Sequence, residues 1–119
     1  MKRSTKLTGK RWIAENKITK YLLNTEHLEG GGKAKFFIAH GFDPGAPGTM
    51  ADAIYAHADV NDIIQSLACP HGTKSVVRCS IPTPDGRNPC IQVIWIRENG
   101  SAEQRFVTAY PYDDKLVVE

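Results

Sequence analysis

Two hydroxyl side chains stand two positions apart near the end of an apolar segment that is typical of a strand. In RFVTAYP, residues 105–111, Phe106, Thr108 and Tyr110 alternate with their neighbours, and a strand points residues at this spacing to one face. Such hydroxyls could donate hydrogen bonds to an anionic reactant. They could equally be ordinary strand residues, because threonine is common in strands and a buried tyrosine usually bonds its hydroxyl.

A glycine-rich segment, HLEGGGK at residues 27–33, offers charge and proton transfer. Three glycines before a helix leave backbone N–H groups free at the positive end of the helix dipole, which suits an anion. Lys33 lies in the first predicted turn, where the dipole disfavours a cation, and a bound anion would account for it. His27 could act as a general acid or base near neutral pH. The alternative is an exposed lysine and a loop histidine without a chemical role.

The same segment is not a nucleotide-binding P-loop. That motif needs GxxxxGK followed by Ser or Thr, whereas His27 stands at the first glycine position and Ala34 follows Lys33. The anion site suggested by the glycines is therefore a general one and does not specify a nucleotide.

The cysteines and the other histidines favour structural roles, and no metal or cofactor is expected. An odd number of cysteines, without a CxxC pair in a chain that lacks a signal peptide, argues for reduced thiols. Cys79 and Cys90 lie on either side of one predicted turn and could face each other across a hairpin. With Cys69 and His71 they would make four possible zinc ligands, but the spacing fits no zinc motif. The histidines with structural interpretations are His40, His57 and His71.

Composition and charge predict one globular domain with a basic beginning. The chain has 119 residues, 41% hydrophobic and 24% charged, as in soluble domains. No apolar run approaches the roughly 20 residues of a membrane span, and the N-terminus lacks a signal-peptide core, so we expect a cytoplasmic location. Residues 2–20 hold seven Lys or Arg against the acid Glu15. We expect a basic arm over residues 1–12, attracting nucleic acid or simply solvated, and one domain over residues 13–119.

Hydrophobic periodicity predicts three helices in the first part of the chain. The first should cover residues 13–23, where apolar side chains recur at helical spacing. The second should follow the glycine-rich segment and end at Gly41. The third should begin with Thr49 as its N-cap and continue through an apolar stripe to Leu67, before Pro70 stops it.

The apolar period changes to two after Gly72, which predicts strands. The turn sequences PDG and Asn-Gly favour two hairpins. The domain is therefore predicted as α+β, with three helices packed on one face of a three- to four-stranded antiparallel sheet. The predicted strands cover residues 74–81, 90–97 and 102–110, with a possible fourth at 115–118.

The Asn-Gly turn also predicts the register of the last hairpin. Val93 should lie opposite Phe106 on the face covered by the helices. Thr108 and Tyr110 should continue this face toward its margin. Arg105 should point to the opposite face, unless a β-bulge redirects it.

Several motifs, in order, resemble a family of small bacterial and phage domains of unknown function. The matching segments lie between residues 17 and 111 and read KITKYLLNTEH, GGGKAKFF, HGF, PDGR, VIWI and RFVTAYP. The family motifs they resemble are YLLN-x-x-H, K-A-x-F-F and R-L-V-T-A-Y-P. The layout and the last motif are in turn similar to the barnase, EndoU, colicin and RelE (BECR) superfamily of ribonuclease toxins.

The resemblance implies a metal-independent ribonuclease with RNA as its substrate. His27 would be the general acid or base, and Lys33 would hold the scissile phosphate. Thr108 and Tyr110 would hydrogen-bond that phosphate or adjust the proton transfers. Arg105 would stabilise the developing charge, although its predicted place on the other face separates it from the hydroxyls. A cognate antitoxin or immunity protein would be a further partner.

The competing interpretation is a non-catalytic binding module. The domain would then be an antitoxin, an immunity protein or another inhibitor, or a nucleic-acid-binding accessory domain. In that case Thr108 and Tyr110 are structural, and His27 is an ordinary loop residue.

Overall fold

A computed structural model describes residues 6–26 and 31–112. It shows an α+β fold in which helices pack on one face of a five-stranded sheet. The helices are α1 (Glu15–Lys17), which continues as a π-helical turn (Ile18–Leu22), α2 (Gly31–Ala39) and α3 (Pro47–Val60). The strands are β1 (Arg11–Trp12), β2 (Ile63–Cys69), β3 (Gly72–Ser80), β4 (Cys90–Glu98) and β5 (Gln104–Pro111). Within these described ranges, no helix has the length and apolar character needed to cross a bilayer.

The sheet is mixed, with the strand order β1-β5-β4-β3-β2. β1 runs parallel to β5, and the other neighbours are antiparallel. The α+β class and the three helices are confirmed, but the prediction of three to four antiparallel strands is wrong. β1 and β2 are additional strands, and β1 makes the sheet mixed. The possible strand at residues 115–118 lies outside the described residues.

The third predicted helix extends too far at its C-terminal end. α3 ends at Val60, and the segment predicted as its last turns is strand β2. Asn61 ends the helix, because its side-chain amide donates to the carbonyls of His57 and Ser80, both at 2.9 Å. The helix begins at Pro47, whose fixed φ suits the first turn, with Ala46 rather than Thr49 as the N-cap.

The described part of the basic N-terminal segment packs on the domain. Leu7 is buried in the core. Lys6 forms an ion pair with Asp62, and Arg11 forms one with Asp59. Charge complementarity and burial therefore attach residues 6–12 to α3 and to the loop that follows it.

The core lies between the helices and one face of the sheet. Trp95 is fully buried, with its ring centroid 5.9 Å from that of Phe106 in an edge-to-face contact and 6.4 Å from that of Tyr55 in a stacked one. The sheet contributes Val77, Ile91, Val93, Trp95, Phe106 and Ala109, and the helical segments contribute Ile18, Leu22, Phe37, Met50, Ile54 and Ala58. These side chains identify the helix-covered face of the sheet.

His57 is a buried part of α3, as the structural interpretation expected. Its Nε2 lies 3.0 Å from the carbonyl oxygen of Cys79. Burial lowers the pKa of His57, because removal from water disfavours the charged imidazolium.

The buried His57 should make the fold sensitive to acid. As the pH falls below the unfolded pKa of about 6.5, the unfolded chain binds a proton that the folded chain does not, so the free energy of unfolding should fall. Urea unfolding of the wild type and His57→Gln at about pH 7.5 and about pH 5 measures this effect. We expect a smaller difference between the two pH values in the variant, and an equal difference would contradict the assignment.

A β-bulge interrupts the pairing of β4 with β5. Trp95 lies opposite Phe106 and Ile94 lies opposite Thr108. Val107 is therefore an extra residue on β5. Because side chains alternate along a strand, one extra residue reverses the facing of everything beyond it.

The bulge changes the predicted placement of the hydroxyls. The predicted pairing of Val93 with Phe106 is wrong, although Phe106 does face the core. Thr108 and Tyr110 lie on the opposite face and do not continue the helix-covered one. By register they share this outer face with Arg105, so the predicted separation of Arg105 from the hydroxyls is also wrong.

Candidate functional site

The candidate site lies at the outer edge of β5, beyond the end of β1. β1 pairs only with Gln104 and Arg105, which leaves the later part of β5 next to the first helical segment and α2. Lys17 reaches this edge and donates to the Val107 carbonyl at 3.1 Å. The residue added by the bulge thus provides one contact between the strand and the first helical segment.

The π-helical turn places Tyr21 at the same edge. Leu23 donates its N–H to the carbonyl of Ile18 at 2.8 Å, which closes a wider turn than in an α-helix. Ile18 and Leu22 of this turn are buried in the core, while the Tyr21 hydroxyl reaches β5. Turns of this kind are frequent at functional sites.

Lys33, Tyr21 and Thr108 form a hydrogen-bonded polar cluster. The Tyr21 hydroxyl lies 3.0 Å from Thr108 Oγ1. Lys33 Nζ donates to the Tyr21 hydroxyl and lies 3.4 Å from Thr108 Oγ1. Three elements therefore contribute one polar group each: the π-helical turn, the first turn of α2 and the strand after the bulge.

Aromatic rings line the cluster and contact its cations. Lys33 Nζ lies 4.9 Å from the ring centroid of Tyr21 and 5.5 Å from that of Tyr110. Lys17 Nζ lies 5.5 Å from the Tyr21 centroid. Rings at these distances attract an ammonium group electrostatically without neutralising its charge.

Lys17 and Lys33 differ from several other basic side chains, because neither has an acidic partner among the described residues. Lys6, Arg11, Arg87 and Arg105 each form an ion pair with a carboxylate. Over residues 6–26 and 31–112, neither Lys17 nor Lys33 forms one. Their positive charge is therefore available to an anion from solution.

The surroundings of Tyr21 make its phenol more acidic than usual. Burial alone would raise the pKa of Tyr21, but the hydrogen bonds to Lys33 and Thr108 and the charges of Lys33 and Lys17 outweigh it, so the pKa is lowered. These groups favour the phenolate over the neutral phenol. Two amines and two hydroxyl groups thus converge where they could bind a phosphate-like anion and exchange a proton with it.

The lowered pKa of Tyr21 can be measured directly. In an ultraviolet titration of phenolate absorbance, the difference between the wild type and Tyr21→Phe should show a group that ionises below the ordinary value of about 10. Because the folded pKa is the lower one, this ionisation stabilises the fold above the unfolded pKa, and the contribution is lost as the pH falls through the folded pKa. Lys33→Met should return the transition toward the ordinary value. A transition unchanged by Lys33→Met would contradict the proposed contact.

The structure brings together three of the five side chains singled out in the sequence. Lys33 and Thr108 are hydrogen-bonded neighbours, and the Tyr110 ring lies beside the Lys33 amine. Arg105 instead pairs with Glu98 at 3.3 Å. His27 lies outside the described residues.

Sequence reasoning overlooked Tyr21 and Lys17 as site residues. They stand four positions apart in the first helical segment, a spacing that places side chains on one helix face. Ile18, Tyr21 and Leu22 recur at helical spacing, so periodicity alone counts Tyr21 among the apolar side chains of the first predicted helix. The signal that could have distinguished it is its phenol group beside two lysines, since a fully buried helix face rarely carries a tyrosine without a polar partner.

The cysteines form no disulfide, and Cys79 and Cys90 are not directly opposite each other. Cys90 pairs with Ser80, while Cys79 pairs with Ile91, so the two thiols are offset by one position. Among the side chains of the described ranges, no group of three or more His, Cys, Asp or Glu could hold a metal ion.

Comparison with known proteins addresses the fold and the family. One chain of a solved structure, described as the contact-dependent growth inhibition toxin–immunity protein complex from Klebsiella pneumoniae 342, superposes with a TM-score of 0.65 at 15% identity, over 84% of this chain and 98% of that chain. At this identity the match shows a shared fold. No match to the chain is found among curated proteins. The profile described as "Domain of unknown function (DUF6883)" matches residues 6–113, and the chain therefore belongs to the DUF6883 family.

Proposed function

We propose that this domain is a toxin-like ribonuclease of BECR type that cleaves RNA without a metal ion. The observation that carries the proposal is the cluster of Lys33, Tyr21 and Thr108. It combines an amine that lacks a described acidic partner with two neutral hydrogen-bond donors. Such preorganised groups stabilise a transferring phosphoryl group.

The reaction proposed is attack by the ribose 2′-hydroxyl on the adjacent phosphorus. A base removes the 2′-hydroxyl proton, a bond forms from the 2′-oxygen to phosphorus, and the bond to the 5′-oxygen breaks as an acid protonates the leaving oxygen. The products are a 2′,3′-cyclic phosphate and a free 5′-hydroxyl. The base and acid proposed for these two steps are His27 and the acidified phenol of Tyr21.

The remaining residues would hold the phosphate during these steps. Lys33 and Lys17 would stabilise the charge that develops on the non-bridging oxygens, and Thr108 would donate a hydrogen bond to one of them. The proposed contribution of Tyr110 is its ring, which lies beside the Lys33 amine. Arg105 could join this group only after leaving Glu98.

The comparisons support a toxin-like role at the level of the fold. The similar structure is described as a toxin–immunity protein complex, and BECR ribonuclease toxins are the superfamily that the late-strand motif resembles. After the short β1, the helices precede an antiparallel run of strands from β2 to β5, and this part of the order supports that layout. A cognate antitoxin or immunity protein is accordingly proposed as a partner.

A second candidate follows from the same comparison, because the similar structure contains an immunity protein as well as a toxin. In this alternative the domain is an inhibitor that binds a protein partner. The polar cluster would then stabilise the edge of β5, and the chain would leave RNA intact.

Incubation of purified protein with total RNA distinguishes the two candidates. The wild type should cleave RNA in the presence of EDTA and slow bacterial growth when expressed. His27→Ala should lose cleavage, whereas His71→Ala should retain it, because His71 is an exposed turn residue on a different segment. Intact RNA at high protein concentration, together with normal growth, would reject the ribonuclease and favour the inhibitor.

A further inference from the structure

A row of polar side chains crosses three strands on the outer face of the sheet. Arg78 of β3, Gln92 of β4 and Tyr110 of β5 lie opposite one another in register. Arg78 Nε donates to Gln92 Oε1 at 2.7 Å, and Gln92 Nε2 donates to the Tyr110 hydroxyl at 2.5 Å. The Gln92 amide thus orients Arg78 through its oxygen and Tyr110 through its nitrogen.

The far end of this row carries a cation and an aromatic ring in contact. Arg78 Cζ lies 4.0 Å from the ring centroid of Tyr112. Tyr112 is held by its backbone, whose N–H donates to the Cys90 carbonyl at 3.1 Å. Both side chains are partly exposed, so a flat ligand has access to the pair.

The other end of the row lies beside the polar cluster of Lys33, Tyr21 and Thr108. The Tyr110 ring lies between the two features, because its hydroxyl accepts from Gln92 and its centroid is 5.5 Å from Lys33 Nζ. The row and the cluster therefore form one continuous polar surface. It begins at charges suited to a phosphate and ends at a surface suited to an aromatic ring.

The hydrogen bond to Gln92 leaves part of the Arg78 guanidinium group available to a ligand. Its Nε is bonded to Gln92, but among residues 6–26 and 31–112 its terminal guanidinium nitrogens make no hydrogen bond, and it forms no ion pair with a carboxylate. An arginine needed only to support the sheet would gain from a carboxylate partner, as Arg105 does from Glu98. Unpaired bases stack on aromatic rings and on guanidinium groups, and Arg78 and Tyr112 present one of each within 4.0 Å.

We infer that Arg78 and Tyr112 form a base-binding subsite for single-stranded RNA, one that stacks a base of a nucleotide near the scissile phosphate. The inference rests on the proposed function and specifies its substrate class. Unpaired bases present a free π-face that stacks on tyrosine and guanidinium groups. In a duplex these faces are already covered by neighbouring bases. The subsite therefore favours single-stranded over double-stranded RNA.

Binding of a non-cleavable RNA tests the subsite independently of cleavage. The probe is a short single strand with 2′-O-methyl sugars, which lack the attacking hydroxyl, and a 2-aminopurine base whose fluorescence is quenched by stacking. The wild type should bind and quench it. Tyr112→Ala should bind about tenfold or more weakly and lose the quenching, as expected for one lost stacked base, whereas Tyr112→Phe should keep both.

Two matched controls distinguish the loss of stacking from the loss of any positive charge or of any exposed aromatic ring. Arg78→Gln should weaken binding more than Arg97→Gln, which removes the same charge from an exposed position near the end of β4. Trp12→Ala removes an aromatic side chain that is 50% exposed on β1 and should leave the quenching unchanged. If Arg78→Gln and Arg97→Gln weaken binding equally, the effect is nonspecific and the subsite is rejected.

The outcomes distinguish this inference from the proposed function. If the wild type cleaves RNA and Tyr112→Ala changes neither the dissociation constant nor KM, the base subsite is wrong and the ribonuclease stands. If the wild type cleaves no RNA but quenches the probe through Tyr112, the ribonuclease is wrong and the surface binds single-stranded RNA without cutting it. Equal binding of single-stranded and duplex probes would overturn the subsite in either case.

Discussion

Lys33→Met is expected to reduce RNA cleavage by about two to three orders of magnitude, the usual cost of removing one preorganised donor from a charge-stabilising site. Methionine keeps most of the length of the side chain while removing its charge. The loss should therefore appear mainly in kcat, because the interaction with the phosphate strengthens as charge develops. Single-turnover cleavage of a short RNA measures it.

Lys35→Met provides the matched control for Lys33. Lys35 lies on the same helix, is exposed and forms no ion pair with a described residue. Its replacement removes the same charge from the domain and should change cleavage only slightly. Equal losses in the two variants would show that Lys33 acts through overall charge and would remove it from the site.

Tyr21→Phe is expected to lower cleavage by about two orders of magnitude or more, within the usual range for a general acid or base. The ring would remain to contact Lys33 and Lys17, so the fold should be retained and circular dichroism should be unchanged. Tyr110→Phe is the matched comparison. Its hydroxyl bonds Gln92 and not the cluster, so we expect a smaller loss.

A double substitution tests whether Tyr21 and Lys33 act as one unit. Their direct hydrogen bond predicts that the double variant is little worse than the poorer single variant, because residues in contact are not additive. Losses that multiply fully would indicate independent roles. That result would contradict proton transfer from a phenol whose acidity depends on Lys33.

Lys33 and Thr108 stand out in the sequence independently, each for a local physical reason, and only the family resemblance placed both at one phosphate. A cation in the first turn of a helix is unfavourable, and hydroxyls at a strand end need partners. Both features are local, and both are readable from residue type and spacing. The fold places them together because α2 packs on the core through Phe37, which lies about one helical turn after Lys33.

The register of β5 could not be predicted from the turn. The Asn-Gly signal predicts a two-residue hairpin loop, but β4 ends at Glu98 and β5 begins only at Gln104. The longer loop shifts the pairing by two positions, so that Trp95 rather than Val93 lies opposite Phe106. This shift leaves the facing of β5 unchanged.

The bulge at Val107, farther along the strand, then reverses the facing of β5. It is stabilised by a long-range contact, the Lys17 amine on the Val107 carbonyl. This single inserted residue decides which face Thr108 and Tyr110 occupy. Local propensity does not predict it, and so the two side chains were expected on the helix-covered face.

The segment after α3 was predicted as helix but forms strand β2, for a related reason. Ile63, Ile64 and Leu67 continue the helical spacing of α3, yet β-branched residues also favour strands. Pairing with β3 decides between the two, and the side chain of Asn61 ends the helix through a carbonyl of β3. β1 is two residues long, too short for a periodic pattern, and its pairing with β5 is parallel and distant in sequence.

The chemical ends of the RNA products test the central claim most directly. A single-stranded RNA incubated with the wild type in EDTA should yield a 2′,3′-cyclic phosphate and a 5′-hydroxyl, identified by mass spectrometry. Replacing the 2′-hydroxyl by hydrogen at the cleaved position should abolish the cut, and Lys33→Met should slow it without changing the ends. A 5′-phosphate product, or cutting that survives loss of the 2′-hydroxyl, would contradict attack by that hydroxyl at the Lys33, Tyr21 and Thr108 cluster.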